Sequence, residues 1–348
     1  MRVPKSSWAI SAILLVALLL TAGACLLPDQ PYQRWQLLVG TIHDNSRWIY
    51  ERTHFDPTPV DVVFVGPSRM EMGVNAPRLE RDLAALGAPA HVVNAALPQD
   101  GRNLADVIVR EILSAKHPRL LVVGVAEKPS RFGHPAFRYL ASARQVIDPG
   151  YPTDFNYLAD LIYLPYRQIR LFAASLTPDG GGLARRFDSS RYAGTSLRTT
   201  GSRWLGDGKF QDADRPGDPS VVAAAAARFK ASMHPPLFGG RIAGFEFGDE
   251  RANLRDIAAL AHSHGVKVVF LYLPYYGAEP KLVEQDFYDR LGPVWKPSFL
   301  ATRLDLYYDY GHLDGPGADL LTDWLAPQVA AQLRVSSGKS PQAAPRPA

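Results

Sequence analysis

Three side chains in this 348-residue chain have the types and order of an acyl-transfer centre. Ser68 follows the apolar run Asp61-Val-Val-Phe-Val65 and the breaker Gly66-Pro67. Near the other end, Asp309-Tyr310-Gly311-His312 sets a carboxylate three residues before an imidazole on one polar loop. A serine becomes a nucleophile when a base takes its proton, and an imidazole does this well when a carboxylate fixes its tautomer and stabilises its cation. The alternative readings are a turn serine and an ordinary polar loop. The chain order Ser, Asp, His also occurs in α/β-hydrolases, but their elbow needs Gly-x-Ser-x-Gly, and Met70 stands where the last glycine belongs.

With these residues the chain resembles the SGNH (GDSL-like) hydrolases and acyltransferases, over residues 60–128 and 252–333. The carrying blocks are Gly66-Pro67-Ser68-Arg69 and Asp309-Tyr310-Gly311-His312. The Gly-x-Ser-Arg variant and the closing His312-Leu-Asp-Gly-Pro-Gly-Ala318 look most like the membrane-anchored branch that acylates bacterial exopolysaccharides and cell-wall polymers. The resemblance implies a Ser68, Asp309, His312 triad, no cofactor, a polysaccharide or acyl-donor substrate and a membrane acyl-transport partner. It also implies an oxyanion hole from the serine amide, a glycine of a second block and an asparagine of a third. Here Asn94 matches the second block, but Gln99 holds the glycine place with Gly101 two residues late. The third block, Gly124-Val-Ala-Glu127, has no asparagine. Arg69, Asn94, Gln99, Gly101 and Glu127 are therefore the candidate oxyanion and substrate contacts. Two functions outside acyl transfer to sugars stay open: a non-catalytic scaffold of a polysaccharide-export assembly, and a lipase or thioesterase with an apolar acyl channel.

The elements that must position these groups alternate strand and helix. The apolar run before Ser68 reads as a strand buried on both faces, as in a parallel sheet covered by helices. Asn75 caps a helix with Leu79, Leu83 and Leu86 on one face and Gly87 as its stop. A strand over 91–95, a helix opened by Gly101 and Asn103, and a strand over 119–125 follow. After 251 come a helix ending at Gly265, a strand over 266–273, a fifth strand over 302–307 and a closing helix over 318–333. The expected fold class is α/β: a three-layer, flavodoxin-like sheet of about five parallel strands, with ligands at the carboxyl ends of the strands.

Residues 129–250 break that rhythm. They hold 17 of the 36 aromatic residues in about a third of the chain, and five arginines between 185 and 203 against Asp188 alone. We read them as an insert, with a helix over 157–176, a hairpin around Asp207-Gly208 and a helix over 221–232.

At the start, Arg2 and Lys5 precede an uncharged run from Ser6 to Pro28, long enough to span a bilayer. Positive charge before the span keeps the N-terminus cytoplasmic and exports the rest, in a bacterium to the periplasm. Ala22-Gly-Ala24 also fits a signal-peptidase site, and Cys25 a lipidation site. The expected organisation is an anchor or signal segment (1–28, spanning through 8–27), a membrane-proximal helix and linker (29–59), the α/β domain (60–128 and 251–335), the insert and a disordered tail (336–348). A net charge of +4 without a dense basic stripe argues against nucleic acid, and a single cysteine excludes an intramolecular disulfide and a cysteine-based zinc cage.

Overall fold

Short, mainly apolar runs rich in β-branched residues make the centre of the molecule. In the computed structural model, which describes residues 5–127, 129–151, 154–233, 238, 243–279 and 282–337, these runs form β1 (Val62–Val65), β2 (Val92–Asn94), β3 (Leu120–Val125), β4 (Lys267–Tyr272) and β5 (Val294–Trp295). All are parallel, in the order β2-β1-β3-β4-β5. Val62 lies beside Val92 on one side and Leu120 on the other. The chain therefore leaves β1 toward opposite edges of the sheet, and the crevice beyond the carboxyl ends of β1 and β3 is the topological switch point.

The principal helices are α1 (Lys5–Cys25), α2 (Asn45–His54), α3 (Ser68–Gly73), α4 (Ala76–Ala85), α5 (Arg102–Ala115), α6 (Tyr157–Leu176), α7 (Pro219–Ser232), α8 (Gly248–Ser263) and α9 (Gly315–Ser337). Because side chains alternate along a strand, Val63 and Val65 enter one core with Leu104, Ile108 and Ile112 of α5 and Leu254 and Ile257 of α8. Val62 and Phe64 enter the other, with Leu79 and Leu83 of α4 and Leu321, Leu325 and Val329 of α9. The result is three layers. Asn75 caps α4 by accepting from the Arg78 amide, and Gly87 adopts φ +70° after it.

Residues 302–307 do not form the expected fifth strand. They turn as two short 3-10 helices, Ser298–Thr302 and Leu304–Leu306, and β5 lies earlier, paired with Phe270 and Leu271. A short apolar run carries no period long enough to separate strand from turn. Tyr307 instead makes a single antiparallel bridge to Leu313, which pinches off the loop carrying Asp309 and His312.

Residues 29–59 are built into the first core, where Trp35 and Ile49 are fully buried. Residues 129–250 contribute Phe137, Leu140, Val146 and Leu164 to that same core. Helix α9 continues to Ser337, and the remainder of the expected tail lies outside the described residues. α1 has a mean hydropathy of 2.3 over Trp8–Cys25 and, at 21 residues, is about 31 Å long, enough to cross a bilayer.

Candidate active site

Ser68 owes its position to the way β1 ends. Gly66 lets β1 and β3 approach closely, since a Cβ there would sit 3.1 Å from the Gly124 Cα. Pro67 then turns the chain, and its carbonyl accepts from the amides of Met70 and Glu71. Ser68 is thus the first residue of α3, at the switch point. Six residues of helix do not hold themselves, so α3 is braced from outside. The Asn94 side-chain amide donates to the carbonyls of Met70, Glu71 and Val74 at 3.0–3.2 Å, and the Thr199 hydroxyl to that of Glu71 at 2.6 Å. The buried Glu71 carboxylate takes Arg203 at 2.8 Å and Asn45 at 3.0 Å. Burial pushes its pKa up, and Arg203 works against that rise.

The second half of the site comes from the pinched loop. One oxygen of Asp309, Oδ1, accepts the amides of Gly311 and His312, each at 2.8 Å, which folds the loop back. His312 Nδ1 lies 2.8 Å from Oδ2 and 2.9 Å from Oδ1. A carboxylate only accepts, so the ring proton sits on Nδ1 and the lone pair on Nε2. That Nε2 is 2.7 Å from Ser68 Oγ, across 244 positions of sequence. Burial works to raise the Asp309 pKa, but the hydrogen bonds from the His312 ring and from the Gly311 and His312 amides outweigh it and hold the carboxyl below its ordinary range.

A cleft of about 320 Å³ opens over this pair, lined among others by Ser68, Arg69, Gln99, Glu127 and His312. The Arg69 guanidinium is committed: it donates to Glu127 and to the Leu273 carbonyl, and lies 5.6 Å and 5.7 Å from the rings of Phe229 and Tyr275. Burial acts to lower the Arg69 pKa, yet Glu127 raises it more, so the arginine stays charged and its charge is locally cancelled. Gln99 has φ +72°, the one non-glycine among the described residues in the left-handed region. The loop is held there because His43 and His134 both bond the Pro98 carbonyl, at 3.2 and 2.6 Å. A residue standing where the resemblance expects glycine thus has a glycine's backbone.

Five of the eight candidate residues therefore line one cleft, and Asp309 stands directly behind His312. Two do not join them. Asn94 is buried behind the serine helix, where its amide is consumed by the carbonyls that end α3, so it is a brace and not an oxyanion donor. Gly101 lies under the Gln99 loop, where a Cβ would fall 2.2 Å from the His134 backbone nitrogen; its part is close packing. Sequence reasoning missed Asp100, Phe229 and Tyr310 on the cleft wall. Tyr310 lies inside the Asp-x-x-His block and could have been taken from it. Phe229, on α7, carries no local signal, and only folding brings it to Tyr310, ring centres 4.9 Å apart. Against protein-family models and against curated proteins, the chain has no match.

Proposed function

We propose that this chain is an SGNH-type serine O-acyltransferase or acyl esterase, acting on O-acyl groups of an envelope or secreted polysaccharide and tethered by α1 as a single-pass anchor, its head periplasmic. The observation that carries the reading is the Ser68–His312–Asp309 chain of hydrogen bonds at the sheet's switch point. Ser68 Oγ attacks the acyl carbonyl while His312 Nε2 takes its proton, and Asp309 holds the imidazolium that forms. The tetrahedral intermediate collapses to the acyl-enzyme as the sugar oxygen leaves with the proton from Nε2. An acceptor hydroxyl, or water, then gives its proton to Nε2 and attacks the acyl carbon, and the second tetrahedral intermediate collapses as Nε2 hands that proton to Ser68 Oγ, breaking the acyl–serine bond and restoring the free hydroxyl and neutral ring. The amide of Ser68, which as a helix-opening N–H has no intrahelical acceptor, and the amide of the left-handed Gln99 are the oxyanion donors in this reading. Acetyl is the expected acyl group, and aromatic Phe229 and Tyr310 offer stacking surface to a sugar ring.

The test is a fluorophosphonate probe on the full-length protein, beside Ser68→Ala and His312→Ala. Wild type should label and both variants should not. Labelling that survives Ser68→Ala, or a folded wild type that never labels, overturns the enzyme reading, and the second result favours the scaffold. Transfer is separated from hydrolysis by following an activated acetyl ester with an oligosaccharide acceptor: acylated acceptor supports transferase, free acetate alone supports esterase.

A further inference from the structure

Helix α6 buries Leu164, Leu171 and Ala174 yet carries a second apolar face outward, which a helix facing water does not. Three of its polar residues point inward with that core: Asp160 pairs with Arg138 at 2.8 Å, buried Arg167 donates to the carbonyls of Arg138 and Ala141, and Gln168 is buried beside it. Its outer face carries Leu158, Ile162, Tyr166, Ile169 and Leu176, continued by Phe155 just before the helix, each 45–69 % exposed. Their spacing of three, four or seven residues makes one continuous stripe along a helix about 30 Å long. Large contiguous apolar surface on a water-soluble face marks a site of interaction.

We infer that this stripe lies in the head-group boundary of the same bilayer that α1 crosses, so that the protein is held on the membrane by a span and an interfacial helix together. The inference rests on the reading of α1 as a span. α1 packs against α6, and no slack separates them: the Gln168 side chain, midway along α6, donates to the Leu27 carbonyl at 2.6 Å. Asp29 and Arg34 pair two residues on, and Gln30 donates to the Arg185 carbonyl. The end of the span is therefore fixed level with the middle of α6, whose outward face must meet lipid where the span enters it. Tyr166 and the exposed Arg170 at the stripe's edge are residue types that suit this boundary, with an apolar body and a polar tip. Such helices bury their apolar face about 5–10 Å into the boundary. The consequence is a head of fixed tilt, its cleft held at a set height over the membrane.

The experiment uses the full chain in lipid nanodiscs, in a Cys25→Ser background, with single cysteines carrying an environment-sensitive fluorophore. The sites are Ile162→Cys and Ile169→Cys on the stripe, Leu15→Cys in α1, and Asp323→Cys on the exposed side of α9, across the sheet. The labels at 162 and 169 should emit to the blue and lose most of their intensity to lipids brominated near the head group. The label at 323 should do neither, and that at 15 should be quenched by deeper bromines. Water-like emission at 162 and 169 with a quenched label at 15 overturns the interfacial helix while leaving the anchor. Blue emission that brominated lipid does not quench also overturns it, since a second copy then covers the stripe. An unquenched label at 15 sinks the anchor and this inference together, with the triad untouched.

Discussion

Replacing Asp309 by asparagine removes one charge and, through the geometry around it, reverses the proton on the base. Oδ1 is held by two backbone amides at 2.8 Å, and Oδ2 faces Nδ1 of His312 at 2.8 Å. In Asp309→Asn the amide oxygen keeps the first position, because only an acceptor satisfies the Gly311 and His312 N–H groups. The NH2 is then turned toward Nδ1, which must present a lone pair, so the ring proton moves to Nε2 and meets Ser68 as a donor. Restoring the productive tautomer requires the side chain to flip and leave both amides unpaired, at about 1–3 kcal/mol each, or about 2–6 kcal/mol in all. At about 1.4 kcal/mol per decade, that leaves the competent form rarer by about thirtyfold to twenty-thousandfold, and the same change in the serine-protease triad costs about 10⁴. Asp309→Ala imposes no donor, so it should be no worse than the asparagine variant. The assay is kcat/KM on an activated acetyl ester with the fluorophosphonate labelling rate, beside a thermal melt of each variant. If the asparagine variant labels as fast as wild type, or alanine is clearly the worse of two equally folded proteins, the tautomer reasoning is wrong.

Two further expectations concern the scaffold. Burial first, then the neighbouring Asp154 and Asp106 carboxylates, push Asp249 up to about 7. The folded state then keeps a proton that the unfolded chain releases from about pH 4, so stability falls as pH rises from about 4 to 7, by at most about 4 kcal/mol from this group. The urea midpoint should drop from pH 5 to pH 8, and Asp249→Asn should flatten that slope and raise the midpoint at pH 8; an unchanged slope refutes the assignment. Gly101→Ala drives a methyl to within 2.2 Å of the His134 nitrogen at φ +147°, and should cost at least about 2 kcal/mol in denaturant unfolding. Gly87→Ala, at φ +70° with open space around it, should cost only about 1–2 kcal/mol, and equal losses would show that the packing at Gly101 is not what matters.

What the sequence disclosed and what it hid divide along the range of the interactions. The run Val62–Val65, the Asn75 cap and the Gly87 stop are decided within a few residues, and each stands where local chemistry puts it. Asp309 and His312 were legible for the same reason: their bond closes a loop of four residues. The meeting of His312 with Ser68 was legible only through the alternation of strand and helix, which brings strand ends to one edge. Asn94 misled because a side chain at the end of a strand can turn to the crevice or to the core, and only the unsatisfied carbonyls of α3 decide. The stretch from 29 to 59 reads as a helix and linker; the helix stands as α2, while the rest is drawn into the fold, where Arg52 bonds the carbonyls of Thr58, Pro59 and Thr195.

That last contact bears on the part of the chain the resemblance leaves unmatched. A bond of 2.7 Å between hydroxyl and imidazole tolerates little drift, and α3 is too short to supply the rigidity itself. Beside Asn94, the stiffness comes from Thr199 and Arg203, both within 129–250, and from Asn45, within the stretch before β1. Arg203 opens the hairpin whose other strand begins at Phe210, so the hairpin is tied to the serine helix through one buried carboxylate. Residues 129–250 cannot then be an accessory laid over a finished site. They close the back of the serine helix and, through Phe229, form a wall of the cleft in front, so the geometry of the serine is set by three stretches of chain that local spacing could never have linked.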